Sequence, residues 1–305
     1  VNLLSKYKNG NVTVTLLSDG TKIQEWSDDE APNPTFPVSC DVKITDWCDA
    51  GCKFCHEQST TKGIHGDLSS LLKVLKPLPG GTELALGGGN PLDHPQLLPF
   101  LEVLKMRKII PNLTVNYKHL KQEKYMQQVN HLLEDNLIYG LGVSIPDDYD
   151  EEVMNQLINR SNVVYHVIAG VNDLKVLDKI KTHSSIRKCL ILGYKTFGRG
   201  KKYYSPEVQK SIDQWKEHLG HYVRKMHLSF DNLAIKQLEV KNHLSDEEWN
   251  KFFMGDDGQF TMYLDAVKQE FGLSSTSKTR YKIEGPIDEC FEIVKEERIA
   301  KINKI

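Results

Sequence analysis

Two hydrophobic periods take turns along this chain. Val12, Val14 and Leu16 alternate with polar positions, Ser18-Asp19-Gly20-Thr21 is rich in turn residues, and Ile23 and Trp26 continue a return strand. A β-hairpin is expected there. The following Ala31-Pro32-Asn33-Pro34-Thr35-Phe36-Pro37 cannot sustain a ladder, so residues 1–37 are set apart as a hairpin and a proline-rich connector.

Beyond Pro37 the period switches repeatedly between two and 3.6. Short β-branched runs at 38–45, 82–86, 113–117, 139–145, 162–169 and 189–194 read as strands, and an apolar stripe at helical spacing follows each. Leu68, Leu71, Leu72 and Leu75 form the first stripe behind Asp67 as N-cap. Leu97, Leu101 and Leu104 mark a helix over 93–108, with Pro99 expected to kink its start, and a polar-rich helix covers 121–135. Asp148-x-x-Glu151 signals a helix carrying Val153 and Leu157. Leu174, Leu177 and Ile180 mark another, and Ser205-Pro206-Glu207 opens one bearing Val208, Ile212, Trp215 and Leu219. Six strand–helix units with short connections predict an α/β fold: a parallel sheet with right-handed crossovers, curving into a partial (β/α)6 TIM-like barrel over residues 38–225. In such sheets ligands bind at the carboxyl ends of the strands.

Past Met226 the alternation loosens. Ser245-Asp246-Glu247-Glu248 caps a short helix with Trp249, Phe252 and Phe253, Gly255-Asp256-Asp257-Gly258 is a turn, and Phe260-Thr261-Met262-Tyr263-Leu264 fits strand or helix equally. A last helix starts near Asp288 and ends in a charged tail. Residues 226–305 therefore read as a small α+β extension closing the barrel.

Composition narrows the function. The chain has 305 residues, 39% of them hydrophobic, enough for an ordinary core, and a net charge of −2 that points to neither nucleic acid nor an anionic surface. No apolar run approaches a membrane span, and the opening Val1-Asn2-Leu3-Leu4-Ser5-Lys6 lacks the order of a signal peptide. A cytoplasmic location without a membrane partner is expected. Six cysteines are too few for a disulfide scaffold, yet three crowd into Cys48-Asp49-Ala50-Gly51-Cys52-Lys53-Phe54-Cys55-His56-Glu57. Three readings compete. Cys52-Lys53-Phe54-Cys55-His56 spells a c-type haem site, but that chemistry belongs outside the cytoplasm and leaves Cys48 unused. A zinc site would take His56 or Cys40 as fourth ligand. Three thiolates on an iron–sulfur cluster would leave one metal position open for a substrate. Cys40 shares a strand face with Val38, Val42 and Ile44 and reads as core, as does Cys189.

The C-x3-C-x2-C loop, with Phe54 before its third cysteine, resembles the cluster loop of the radical S-adenosylmethionine (radical SAM) superfamily. The resemblance extends over about residues 38–200. Gly87-Gly88-Gly89-Asn90-Pro91 is similar to the family's Gly-Gly-Glu-Pro segment, Thr114-Val115-Asn116 to its Thr-Asn-Gly region, and Val143-Ser144-Ile145-Pro146-Asp147 to its Val-Ser-Ile-Asp strand. His166-x-Ile168-x-Gly170-x-x-Asp173 is similar to the Gly-x-Ile-x-Gly-x-x-Glu pattern that packs an isoleucine on the adenine, and Gly193-Tyr194-Lys195 ends the sixth strand next to where the family's backbone hydrogen-bonds the adenine edge. Four positions depart from the pattern: Asn90 for Glu, Tyr117 for Gly, His166 for Gly and Asp173 for Glu.

The resemblance implies an enzyme in which Cys48, Cys52 and Cys55 ligate a single [4Fe–4S] cluster. Phe54, Gly87, Gly88, Gly89, Asn90, Asn116, Ser144, Ile168, Gly170 and Tyr194 would then surround S-adenosyl-L-methionine. It implies reductive cleavage of SAM to a 5′-deoxyadenosyl radical, hydrogen abstraction from a small-molecule, nucleotide or peptide substrate, and an electron donor such as flavodoxin or ferredoxin. Cys290 is the only cysteine past the sixth strand, so no auxiliary cluster is expected. The alternative is a non-catalytic zinc- or Fe–S-binding module that uses the loop for folding or docking.

Overall fold

The computed structural model describes residues 1–157, 162–182 and 188–303. At the amino end β1 (Leu3–Asn9), β2 (Val12–Leu17) and β3 (Lys22–Glu25) form an antiparallel sheet in that order. The expected hairpin is β2 with β3; β1 adds a third strand on the other side of β2.

The main sheet is built from β4 (Ser39–Thr45), β5 (Glu83–Gly88), β6 (Ile110–Asn116), β7 (Gly140–Ser144), β8 (Val163–Ile168) and β9 (Lys188–Leu192). To these are added β10 (His227–Phe230), β11 (Thr261–Asp265), β12 (Glu270–Gly272) and β13 (Tyr281–Lys282). Their order is β10-β9-β8-β7-β6-β5-β4-β11-β12-β13, an open sheet in which every pairing from β10 to β11 is parallel and the last two are antiparallel. The region past Met226 thus supplies a parallel strand to each edge of the six-strand unit. β10 escapes a sequence reading because it is four residues long with exposed His227 and Ser229 alternating with Leu228 and Phe230.

Alternation decides the faces. In β6, Pro111, Leu113 and Val115 are buried under the helices, while Ile110, Asn112, Thr114 and Asn116 face the other side, the concave side of a partial barrel. Cys40, Val42 and Ile44 do the same in β4 and join one continuous core with Leu84, Leu86 and Leu113.

Helix boundaries follow their caps. Asp67 Oδ1 accepts from the N–H of Ser69 at 2.9 Å and of Ser70 at 3.1 Å, opening Leu68–Val74. Ser205 opens Pro206–His218, and Ser245 with Glu248 forms the capping box of Asp246–Phe252. The helix Glu151–Asn155 is capped by Asp150 rather than Asp148. The expected helix over 93–108 is divided into a 3-10 turn at Pro91–Asp93 and a helix at Leu97–Met106. Pro99 falls in the first turn of the latter, where no intrahelical bond is lost to a proline, so it has no kink to make. The last helix is Ile287–Ile302, and the end of the charged tail lies outside the described residues.

The amino-terminal sheet sits against the amino ends of the barrel strands. Tyr139, just before β7, donates its hydroxyl to Leu17 O at 3.1 Å, and Lys188 Nζ at the start of β9 donates to Asp19 O at 2.5 Å. Lys22 pairs with Glu83 at 2.6 Å at the start of β5. This sheet floors the barrel at the end opposite the cysteine loop.

Candidate functional site

β4 delivers the chain into the cysteine loop, and backbone bonds close that loop on itself. Asp46 N donates to Ile64 O at 2.8 Å, Cys48 N to Thr60 O at 3.0 Å and Cys55 N to Cys52 O at 3.3 Å. Three side chains then hold it from outside. Arg199 donates from Nε to Cys52 O and from Nη2 to Ser59 O, both at 3.0 Å, while its own N–H reaches Cys55 O at 3.1 Å. Lys118 Nζ donates to Ala50 O at 2.9 Å, and Asn116 Nδ2 donates to Cys52 Sγ at 3.6 Å.

The three loop thiols are half-buried and free, whereas Cys40, Cys189 and Cys290 are buried in the core. Cys40 is therefore no fourth ligand. His56 is engaged with Glu57 at 3.2 Å. Among the described residues, the group of three candidate ligands gathered within 4.8 Å of one another is Cys48, Asp49 and His119, not the three thiols. Burial raises the thiol pKa of Cys48 and Cys52; around Cys52, Lys118, Arg199 and Asn116 oppose that rise. Half-open thiols with an N–H on one sulfur and two cations nearby suit a thiolate-ligated cluster.

The glycine segment docks onto the start of this loop, backbone to backbone. Gly89 N donates to Thr45 O at 2.8 Å and Asn90 N to Trp47 O at 2.7 Å. Only glycine permits that approach: Gly88 has φ +112°, and a Cβ on Gly89 would lie 2.1 Å from Trp47 O. Gly87, on the inner face of β5, is half-buried and open toward Thr114. Asn90 is fully buried, and its Oδ1 accepts from Leu92 N at 3.3 Å, capping the 3-10 turn.

The other expected site residues share the same end of the sheet. Asn116 pairs in register with Ser144, and Ser144 with His166, so these three side by side line the concave face at the carboxyl ends of β6, β7 and β8. The His166 ring lies over Gly142, whose hypothetical Cβ would be 2.3 Å from its Cε1, and burial pushes the imidazole pKa down to about 4. Ile168 is partly buried and donates its N–H to Asn172 Oδ1 at 2.8 Å; Gly170 follows with φ +88°. Phe54 packs edge-on to Tyr203 with ring centroids 6.0 Å apart. Tyr194 is buried and its backbone is occupied: Gln237 accepts from its N–H at 2.7 Å and donates to its carbonyl at 2.9 Å.

Several organising residues have no sequence signature in the reading above. Buried Asn172 also donates to Ile145 O at 3.1 Å and Asp147 Oδ1 at 2.9 Å, tying the ends of β7 and β8 together. Buried Lys43 lies 2.6 Å from Asp46, 2.9 Å from Glu57 and 3.3 Å from Asp265, joining β4, the cysteine loop and β11. Burial works to lower the Lys43 pKa, but these carboxylates hold it above the usual lysine range; burial likewise works to raise that of Glu57, which His56 and Lys43 hold well below the usual carboxylate range. Arg199 sits in a short helix, Gly198–Tyr203, laid against the cysteine loop. Asp41 and His166 face the barrel interior without a hydrogen-bonding partner among the described residues.

Residues 42–190 match the family model of the radical SAM superfamily. That stretch, just under half of the chain, carries the match to the radical SAM domain. Radical SAM enzymes work with a [4Fe–4S] cluster and S-adenosylmethionine. No curated protein matches the sequence. Among solved structures, the chain is similar to Streptococcus suis SuiB bound to S-adenosylmethionine: 13% identity, TM-score 0.63, covering 87% of this chain and 68% of SuiB. SuiB bound to its precursor peptide SuiA gives 13% identity and a TM-score of 0.60, covering 85% and 65%; SuiB alone gives 14%, 0.59, 85% and 66%. At that identity the likeness is one of fold, and the chain spans about two thirds of SuiB. No described helix is long and apolar enough to cross a membrane.

Proposed function

We propose that this radical SAM enzyme cleaves S-adenosylmethionine reductively and uses the resulting 5′-deoxyadenosyl radical to take a hydrogen atom from a substrate held in the barrel. The observation that carries the reading is the docking of Gly88, Gly89 and Asn90 onto Thr45 and Trp47. It holds Gly88, Gly89 and Asn90, which would form the SAM rim, beside the cysteine loop at the carboxyl ends of the strands. Cys48, Cys52 and Cys55 would hold the single cluster, which supplies an electron to the sulfonium when bound. Gly87, open toward Thr114, would leave room for the methionyl group, and Asn116, Ser144 and His166 line the concave face at the same end of the sheet. Gln237 and Asn172 keep the ends of β8 and β9 in place, and the amino-terminal sheet closes the far end, so the substrate enters from the loop side. Seclusion of this kind keeps water and stray donors from an unselective radical.

SuiB binds a precursor peptide, which makes a peptide the first substrate class to test, followed by nucleosides and small metabolites. Lys43, Arg199 and Asn172 would act as positioning residues, and flavodoxin or ferredoxin would deliver the electron in a cytoplasmic setting. The test is anaerobic reconstitution with iron and sulfide, then dithionite and SAM. Release of 5′-deoxyadenosine supports the reading. A protein that takes up zinc, stays colourless and leaves SAM intact refutes it and favours the non-catalytic module.

A further inference from the structure

The geometry points to a one-sided electrostatic cradle, made by Asn116, Lys118 and Arg199 around Cys52, that raises the reduction potential of the cluster. The inference rests on Cys48, Cys52 and Cys55 being its ligands. Asn116 is oriented by its own helix cap: its Oδ1 accepts from Lys118 N at 3.0 Å, which turns the NH2 group toward Cys52 Sγ at 3.6 Å. The two cations are anchored to the same turn of the loop, Lys118 through Ala50 O at 2.9 Å and Arg199 through Cys52 O at 3.0 Å. Cys48 and Cys55 have no such side-chain donor among the described residues, and Cys48 is followed by Asp49.

Charge explains the consequence. Reduction adds one electron from an external low-potential donor, with no bond made or broken, so the reduced cluster carries one more negative charge than the oxidised one. An N–H aimed at a ligating sulfur and nearby cations stabilise that added charge, and both are recognised determinants of cluster potential. Lys118 is exposed, so its share is screened by salt, whereas Asn116 sits half-buried against the sulfur. These are positioning residues that set how readily the electron is accepted before any SAM is cleaved.

The test is a redox titration followed by electron paramagnetic resonance, on protein of matched iron content without SAM. Asn116→Ala removes the sulfur donor, Asn116→Asp replaces it with a negative charge while keeping the cap, and Lys118→Gln keeps a donor for Ala50 O but loses the charge. The expected result is a lower potential in all three, greatest for Asn116→Asp, where the reduced-to-oxidised ratio at a fixed poise falls at least tenfold, about 59 mV for a one-electron couple. The Lys118→Gln shift should shrink as ionic strength rises. Should Asn116→Ala hold no cluster, the other two variants decide. Potentials equal to wild type at full iron content overturn the cradle while leaving the cluster assignment standing; a wild type that forms no cluster overturns both.

Discussion

The backbone N–H of Asn90 donates to Trp47 O at 2.7 Å, so the glycine rim and the start of the cysteine loop are one hydrogen-bonded unit. A side chain at Gly89 would break that unit, because its Cβ would meet Trp47 O at 2.1 Å. Gly89→Ala is expected to cost about 2 kcal/mol or more, the scale of overpacking in a close-packed site. Iron content after reconstitution and thermal melting should both fall. A fully loaded Gly89→Ala protein with unchanged Tm would show the contact to be dispensable.

Lys43 lies within 3.3 Å of three carboxylates, Asp46, Glu57 and Asp265. Lys43→Met leaves those carboxylates buried together and is expected to destabilise by about 3–5 kcal/mol at neutral pH, measured by urea unfolding. The pH dependence follows by sign. Without Lys43, burial of Glu57 is opposed by His56 but no longer by the lysine, and its folded-state pKa is expected to move up past its unfolded value, so the variant regains part of its stability as pH falls from 7 toward 5. Wild type, whose Glu57 pKa is held low, keeps this contribution over the same window and loses it only at more acid pH.

His166 stays neutral down to a pKa of about 4 in the folded chain, against an ordinary 6.5. Below pH 6.5 the unfolded chain takes up a proton that the folded one refuses, so folding stability should decline between pH 6.5 and 4. Replacing the imidazole by His166→Gln should flatten that decline. An NMR titration placing the His166 midpoint near 6.5 would contradict the buried setting.

Arg199 makes three hydrogen bonds to loop carbonyls. Two of them come from the guanidinium, and Arg199→Ala removes both, at about 1.5–3 kcal/mol each for charged donors. The expected outcome is a loop that no longer holds its turn and a lower iron content, with Arg199→Lys recovering only part because lysine cannot bridge both carbonyls. Full cluster loading in Arg199→Ala would show that the loop holds itself.

What the sequence disclosed and what it hid have physical causes. The six central strands are long enough for their two-residue period to show, and the cysteine and glycine motifs are local in the chain, so both were readable. The residues that organise the site are not local: Arg199 lies 147 positions from Cys52, and Asn116 lies 64 from it. A lone arginine has no period to announce it, and Asn116, although legible as a site residue from its motif, gave no sign of its bond to the Cys52 sulfur. Strands β10 and β11, which flank the six-strand unit, depend on partners across the sheet, which made 260–264 ambiguous until β4 was beside it. Asn90 shows a motif position with a second duty, since its oxygen caps Pro91–Asp93 and so is committed within the fold. Tyr194 is similar: the sequence located its strand end, while the side chain that engages its backbone, Gln237, lies 43 residues further on.

The most direct test of the central claim is a Mössbauer spectrum of 57Fe-reconstituted protein recorded with and without S-adenosylmethionine. On the proposed reading, Cys48, Cys52 and Cys55 would leave one iron of the cluster without a protein ligand, and the adjoining glycine rim would receive the methionyl group. The signal of that one iron should change on adding SAM while the others hold. A spectrum unaltered by SAM, or a protein that loads no iron, would contradict it.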